Sequence, residues 1–315
     1  MNVLVTGATG FVGQTLVRRL VLYEGHDVRC AIRKKRDGLE GATHVYVVGE
    51  VDASTDWQRA LVDVDYVVHL TARVHVMRGH CYDPLMEFRR VNTDGTLNLA
   101  RQAAAAGVRR FIFLSTIKVN GEATHYGCPF TPSDLPAPQD PYGISKHEAE
   151  VGLRAIAHET GMEVVIIRPT LVYGKGARGN FKSLIKLVAR GLPLPLGSIH
   201  NLRSFVGIDN LVDFITTCLE HPAAANEAFM VSDGEDLSTP DLIRRMARAM
   251  NRPARLLPVP KSVLMAGAII LGRRDMAQRL CGNLQVDISK SRTLLGWNPP
   301  ISVDQGLRRA VGGGW

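Results

Sequence analysis

A chain of 315 residues with 45% hydrophobic and 22% charged side chains, 30 glycines and 16 prolines has the make-up of a folded globular protein. That composition argues against a disordered, collagen-like or disulfide-scaffold chain, and the length suits one large or two intermingled domains. Thirty-eight basic against 30 acidic residues give a net charge of +8, which suits an anionic partner: nucleic acid, anionic lipid or a phosphorylated small molecule.

The chain enters at once on an apolar strand, Val3-Leu4-Val5, with no basic leader, so no secretory signal is expected. Further strands are expected at Val28–Ile32, Val45–Val48, Tyr66–Leu70, Phe111–Leu114 and Val164–Ile167. Between them the pattern places helices at Val12–Tyr23, Trp57–Val62, Met86–Ala106 and Tyr142–Thr160. Strands this apolar on both faces, alternating with helices, predict a doubly wound parallel sheet over residues 1–170. Beyond Arg168-Pro169 glycine and proline become frequent, and residues 171–315 are expected to form a smaller α/β domain. Within 203–232, a helix at Asn210–Leu219 and a strand at Phe229–Val231 are expected to pack back on the first domain. Ser238-Thr239-Pro240-Asp241 is a helix start. The apolar run Val263–Leu271 is too short to span a bilayer, so it is expected as a buried helix, with a surface anchor as the alternative.

Cys30, Cys81, Cys128, Cys218 and Cys281 show no close pair. Neither a zinc site nor a disulfide framework fits that spacing, so no metal is expected and a reducing, cytoplasmic setting is. The basic residues form no clustered stripe with interleaved aromatics, so nucleic acid is not an expected partner. No integral membrane insertion is expected either.

Two motifs carry chemistry. The first is Thr6-Gly7-Ala8-Thr9-Gly10-Phe11-Val12-Gly13, between a strand and a helix. Its glycines allow a tight turn and a close approach of backbone amides to a pyrophosphate, whose charge the helix N-terminus stabilises. At the end of the second strand Arg33 and Lys34 stand where an acid usually reads the ribose of NAD, which favours NADP(H), with NAD(H) possible. Glu50 and Val51 follow the third strand, where a loop touches the adenine side. The second motif is Tyr142 and Lys146, four apart on one helix face after Asp140-Pro141. An ammonium beside the phenol is expected to lower its pKa and suit it to acid–base work. Ser115-Thr116, just past the fifth strand, supplies a hydroxyl to hold the reacting oxygen.

Together these residues resemble the extended short-chain dehydrogenase/reductase superfamily, particularly its nucleotide-sugar epimerases, dehydratases and reductases. The resemblance runs through Gly7, Gly10 and Gly13, His69-Leu70-Thr71-Ala72, Val91-Asn92-Thr93-Asp94-Gly95-Thr96, Ser115-Thr116, Tyr142-Gly143-Ile144-Ser145-Lys146, Arg168-Pro169, Val172-Tyr173-Gly174 and Leu295-Gly296-Trp297. It implies a Rossmann sheet with a smaller substrate domain. It implies Tyr142 as acid/base, Lys146 as its partner and ribose ligand, and Thr116, with Ser115 second, as the catalytic hydroxyl. On the cofactor side it implies Thr9, Phe11, Val12, Leu70, Thr71, Ala72 and Pro169, with Asn92 supporting the lysine. On the side of a UDP-sugar it implies Arg73, Asn180, Leu196 and Arg203, with Leu194–Gly197 bordering the uracil. A homodimer through the helices at 86–106 and 142–160 is implied as well.

Dehydratases of this superfamily carry Asp-Glu after the catalytic Thr. Here Ile117 and Lys118 stand there, which argues against that activity. The stretch from His69 to Met77 resembles a bacterial subgroup from surface-polysaccharide gene sets, often labelled UDP-glucose 4-epimerase. Its better-understood members look like reductases of UDP-4-keto-6-deoxy-N-acetylhexosamine, forming UDP-N-acetylquinovosamine or UDP-N-acetylfucosamine. With Arg33 in place of an acid, the expectation is the 4-reductase. A UDP-glucose or UDP-N-acetylglucosamine 4-epimerase with tightly bound NAD is the alternative, and a non-catalytic redox sensor a remote one.

Overall fold

The computed structural model describes residues 1–34, 42–74, 83–177 and 179–312, without the side chains of residues 180 and 274–276. The strands are β1 (Asn2–Thr6), β2 (Asp27–Ile32), β3 (His44–Val47), β4 (Tyr66–His69), β5 (Arg110–Leu114), β6 (Glu163–Pro169), β7 (Leu171–Tyr173), β8 (Arg203–Gly207), β9 (Ala228–Val231) and β10 (Asp236–Leu237). The α-helices are α1 (Phe11–Leu22), α2 (Gln58–Leu61), α3 (Pro84–Arg89), α4 (Gly95–Ala105), α5 (Pro141–Thr160), α6 (Gly179–Ala189), α7 (Ile208–Glu220), α8 (Thr239–Ala249), α9 (Lys261–Ile270), α10 (Arg274–Cys281), α11 (Ser289–Leu295) and α12 (Val303–Val311).

Seven strands form one parallel sheet in the order β3-β2-β1-β4-β5-β6-β9. Val3, Val5, Val28, Val68, Ile112 and Val165 bury one face against α1 and α7. Leu4, Val67, Phe111, Phe113, Val164 and Ile166 bury the other against α2, α4 and α5. This is the doubly wound architecture expected from strands apolar on both faces. The chain reverses its direction of travel between β1 and β4, so the carboxyl ends of β1, β4, β5 and β6 surround one crevice. A second sheet, β10-β8-β7, lies beyond that crevice. The 203–232 segment divides between the two: β8 joins the small sheet, while α7 and β9 complete the large one.

Several boundaries differ from the sequence expectation. The helix expected at 86–106 starts earlier, where the Asp83 carboxylate accepts from the Leu85 amide, and a π turn over Arg90–Asp94 interrupts it. The helix expected over 57–62 is a single turn. Ser238 caps α8 as its residue type implies, accepting from the Asp241 amide at 3.1 Å. The Val263–Leu271 run was expected to be buried, and it lies on the surface. α9 has no buried residue, and Val263, Ile269, Ile270 and Leu271 are exposed. Apolar composition establishes a tendency to be covered, but packing partners decide whether it is. Among the described residues no helix is long and apolar enough to cross a membrane.

Candidate active site

The site is built from the carboxyl ends of the parallel strands. After β1 the chain turns at Gly7, whose φ of +68° is in the left-handed region. A Cβ there would meet the Leu70 carbonyl carbon and the Thr71 nitrogen at 2.9 Å, so the β1 and β4 turns touch backbone to backbone. A Cβ on Gly13 would lie 2.2 Å from the Gly7 carbonyl oxygen, which explains why α1 docks so closely under the turn. Gly10 caps α1 with no side-chain hydrogen bond, leaving the first amides of the helix beside Phe11 and Val12 to serve a ligand. The Thr9 carbonyl accepts from the Gln14 amide group at 3.3 Å, which holds the loop against the helix.

Beneath the turn is a network that sequence reasoning missed. The Thr6 hydroxyl accepts from the Leu70 and Thr71 amides, at 3.2 and 3.3 Å, and lies 2.7 Å from His69 Nδ1. His69 Nε2 lies 3.0 Å from the Thr96 hydroxyl, which itself donates to the Asn92 carbonyl at 2.7 Å. These partners assign Thr6 as donor to Nδ1 and Nε2 as the protonated nitrogen. Burial and the neighbouring Lys146 charge push the imidazole pKa down to about 3, so it is neutral. Ala72 continues the same half-buried segment.

At the end of β2 the Arg33 guanidinium lies 3.5 Å from the Glu50 carboxylate, both exposed. The acid absent from β2 in sequence is thus present in space, supplied from beyond β3. Val51 is buried, packed against Gly95 at the start of α4. Pro169 ends β6, in register with Val231 of β9.

Tyr142 and Lys146 occupy the first two turns of α5. That helix begins where Asp140 accepts from the Gly143 amide at 2.7 Å and Pro141 fills the first turn. Lys118 bridges Asp140 and Glu122, tying the turn after β5 to the start of α5. Lys146 is fully buried. Its Nζ has no hydrogen-bond partner among the described residues and lies 3.8 Å from the centre of the Phe113 ring. Burial pushes its pKa down to about 7, opposed by the Glu150 charge. The Tyr142 phenol, edge-on to Phe88, is held above the ordinary tyrosine range by burial and by Asp140. The expected lowering of the phenol is therefore not found: desolvation disfavours phenolate and ammonium alike.

The two hydroxyls after β5 separate. Ser115 donates to Glu150 at 2.5 Å, and Glu150 in turn receives Arg168 at 2.5 and 3.0 Å. Arg168 also donates to Asn120 at 3.0 Å. Ser115 is thus bound into a buried ion-pair network. Among the described residues the Thr116 hydroxyl only accepts a 3.3 Å bond, from the Lys118 amide, which leaves its proton available. Asn92, expected to support Lys146, grips both backbone groups of Arg73, at 2.8 and 3.0 Å, and donates to Ser145, the residue before Lys146, at 3.0 Å. Ser145 donates to the Tyr142 carbonyl at 2.8 Å, so Asn92 braces the α5 backbone next to the tyrosine.

On the side expected to meet substrate, the Arg73 guanidinium is paired with Glu87 at 2.8 Å. Leu196 is buried with Leu194 in a third apolar cluster, facing the core where a pocket wall was expected. Arg203 donates to the Gly282 carbonyl at 3.1 Å. Its guanidinium pKa is pushed down to about 10 by burial and by neighbouring Arg279, a second cation that sequence reasoning missed. Asp209, read as a helix cap, lies in the first turn of α7 and pairs with Arg309 at 2.8 Å; Gly207 is the cap. Arg178, Cys81 and the Asn180 side chain lie outside the described residues, although residue 180 falls in α6.

Amides at a glycine turn and helix N-terminus, and a buried amine without a partner among the described residues at the same sheet edge, fit a dinucleotide and its ribose. Fold and site thus define a nucleotide-dependent enzyme of the Rossmann type. The chain belongs to the NAD dependent epimerase/dehydratase family, whose model matches residues 3–232. A "UDP-glucose 4-epimerase" from Vibrio cholerae is 50% identical over 314 residues, covering 98% of this chain and 94% of the relative. The fold is also that of UDP-glucuronic acid 4-epimerase from Bacillus cereus in complex with NAD, with a TM-score of 0.79, 23% identity, and 99% and 98% of the two chains covered. A UDP-glucose 4-epimerase from Thermotoga maritima with UDP-glucose superposes with a TM-score of 0.76, at 25% identity and the same coverage.

Proposed function

We propose that this protein is a UDP-hexose 4-epimerase that works with bound NAD. The observation that carries the catalytic part is Lys146: a buried amine with no hydrogen-bond partner among the described residues, one helical turn from Tyr142. The whole-length identity with the Vibrio cholerae epimerase favours epimerase over the 4-reductase expected from sequence. Bound NAD supplies the acceptor and later the donor of hydride at sugar C4, and return to the opposite face inverts that carbon. Tyr142 takes the proton of the 4-hydroxyl and gives it back, held in position by the Asn92–Ser145 brace. Thr116 donates to the same sugar oxygen. Lys146 binds the nicotinamide ribose, and its ammonium would favour phenolate when cofactor and sugar are bound. The amides at Gly7–Gly13, with Thr9, Phe11 and Val12, hold the pyrophosphate, and Leu70, Thr71, Ala72 and Pro169 line the cofactor.

The Arg33–Glu50 pair supports NAD over NADP. A carboxylate 3.5 Å from the guanidinium accepts ribose hydroxyls and repels a 2′-phosphate. Residues 171–315 form the substrate side, with Arg203 and Arg279 as the cations for the UDP diphosphate. Two copies pair through α3–α4 and α5, where Met86 and Val151 are exposed.

The test is to incubate purified protein separately with UDP-glucose, with UDP-N-acetylglucosamine, and with UDP-4-keto-6-deoxy-N-acetylglucosamine plus NADPH, and to read the products by NMR. Isomerisation at C4 without net cofactor turnover is expected. NADPH consumption with the ketone and no isomerisation would establish the reductase instead. Tyr142→Phe is expected to lower kcat by about 10²–10⁴-fold with the fold intact.

A further inference from the structure

The excess positive charge of this chain has one location. Residues 242–274 contain eight Lys or Arg and no Asp or Glu, and outside them basic and acidic residues balance at 30 each. In the same segment α9 carries the exposed apolar surface noted above: Val263 is 58% exposed, Ile269 57%, Ile270 84% and Leu271 74%. Leu257, on the strand-like stretch just before α9, is exposed beside them.

Along the same segment Arg248, Arg252 and Arg255 are exposed, as are Lys261 and Arg273 at the two ends of α9, and none of the five forms an ion pair with a described acid. Arg244 and Arg245 differ, being satisfied by Asp241, Glu235 and Asp304. We propose that α9 and its flanking cations form a docking face for an anionic membrane surface. This goes beyond the catalytic reading and does not depend on it.

The physical case is the pairing of two properties that a solvated surface does not need together. A helix of ten residues is about 15 Å long, half of what would span a bilayer, so it lies in the plane of the interface. Ile269, Ile270 and Leu271 enter the acyl boundary while Lys261 and Arg273, one at each end of the helix, reach the headgroups. A second copy of the chain is a poor occupant. A two-fold contact through this face would set its cations against their own equivalents with no acid within the segment to offset them. An anionic lipid surface meets both properties at once. The segment is also rigidly joined to the substrate side: the Gly197 amide donates to Leu257 and the Leu257 amide to Leu194, each at 2.9 Å.

The test is sedimentation of the full-length protein with vesicles of phosphatidylcholine alone, and with vesicles in which a quarter of the lipid is phosphatidylglycerol. Binding to the anionic vesicles, weakened by high salt, is expected. At about fivefold per cation near the surface, Lys261→Ser with Arg273→Ser should weaken it about 25-fold. Ile270→Asp with Leu271→Asp should abolish it while leaving the thermal unfolding temperature and sugar-nucleotide turnover unchanged, because both side chains are outside the core and the active site. Equal binding to neutral and anionic vesicles, no binding to either, or unaltered binding by the aspartate variant would each overturn the proposal. So would self-association without lipid that the aspartate variant abolishes, since the face would then belong to a second copy.

Discussion

Replacing Glu150 by alanine tests the part of the site that holds its geometry. The carboxylate is 2% exposed and the Arg168 guanidinium 4% exposed, so the pair belongs to the buried regime and not to the surface regime of about 0–1 kcal/mol. Without Glu150 the Arg168 Nε and Nη2 lose their partners, Ser115 loses its acceptor, and only the bonds from Nη1 to Asn120 and the Pro132 carbonyl remain. An uncompensated buried guanidinium costs about 3–5 kcal/mol. Urea unfolding followed through the buried Trp57 and Trp297 should show a loss of that size. Glu150→Met combined with Arg168→Met should recover most of it, because well-packed apolar side chains dispense with the desolvation cost of both ions. A loss below about 1 kcal/mol in the single variant, or no recovery in the double one, would refute the reasoning. Ser115 and Asn120 flank Thr116, so the single variant should also lower kcat.

Other outcomes follow from the same geometry. Gly13→Ala places a methyl 2.2 Å from the Gly7 carbonyl oxygen, and calorimetry should find NAD binding lost together with a drop in unfolding temperature. His69 has a folded-state pKa of about 3 against 6.5 for the free side chain. Between these values the unfolded chain binds one more proton, so stability present above pH 6.5 falls by about 1.4 kcal/mol per pH unit as the pH drops toward 3. His69→Gln should flatten that slope in urea titrations run across this window, and an unchanged slope would count against the neutral imidazole. Glu50→Gln frees Arg33 from its carboxylate and should raise NADP affinity relative to NAD by about tenfold, measured by calorimetry with both cofactors.

The legible parts of this protein were those in which neighbouring residues carry the whole signal. The β1–turn–α1 unit needs only an apolar strand, three glycines and a helix. The Tyr142–Lys146 pair needs only a helical period and the Asp140-Pro141 start. What escaped was settled by partners far apart along the chain. Glu150 meets Arg168 and Ser115 across the α5–β6 and β5 contacts, and His69 meets Thr6 and Thr96 through the sheet. Glu50 comes to Arg33 only because β3 lies beside β2. Asn92 was legible as a residue of interest, but its role as a brace came from the π turn that aims it at Arg73 and Ser145.

The sequence by itself determined the doubly wound architecture, the glycine turn between β1 and α1 and the excess of positive charge, because each follows from local periodicity, a short motif or composition. Tertiary structure decided how those groups behave. Burial drives Lys146 down and Tyr142 up, against the attraction that their spacing suggests. The loop after the neighbouring strand supplies the acid that the second strand lacks. The helix at 261–270 meets the third apolar cluster through Leu264 and leaves Val263, Ile269 and Ile270 exposed, with Lys261 and Arg273 at its two ends. Desolvation and partner choice depend on what surrounds a side chain in space, and adjacent residues in a chain do not record that.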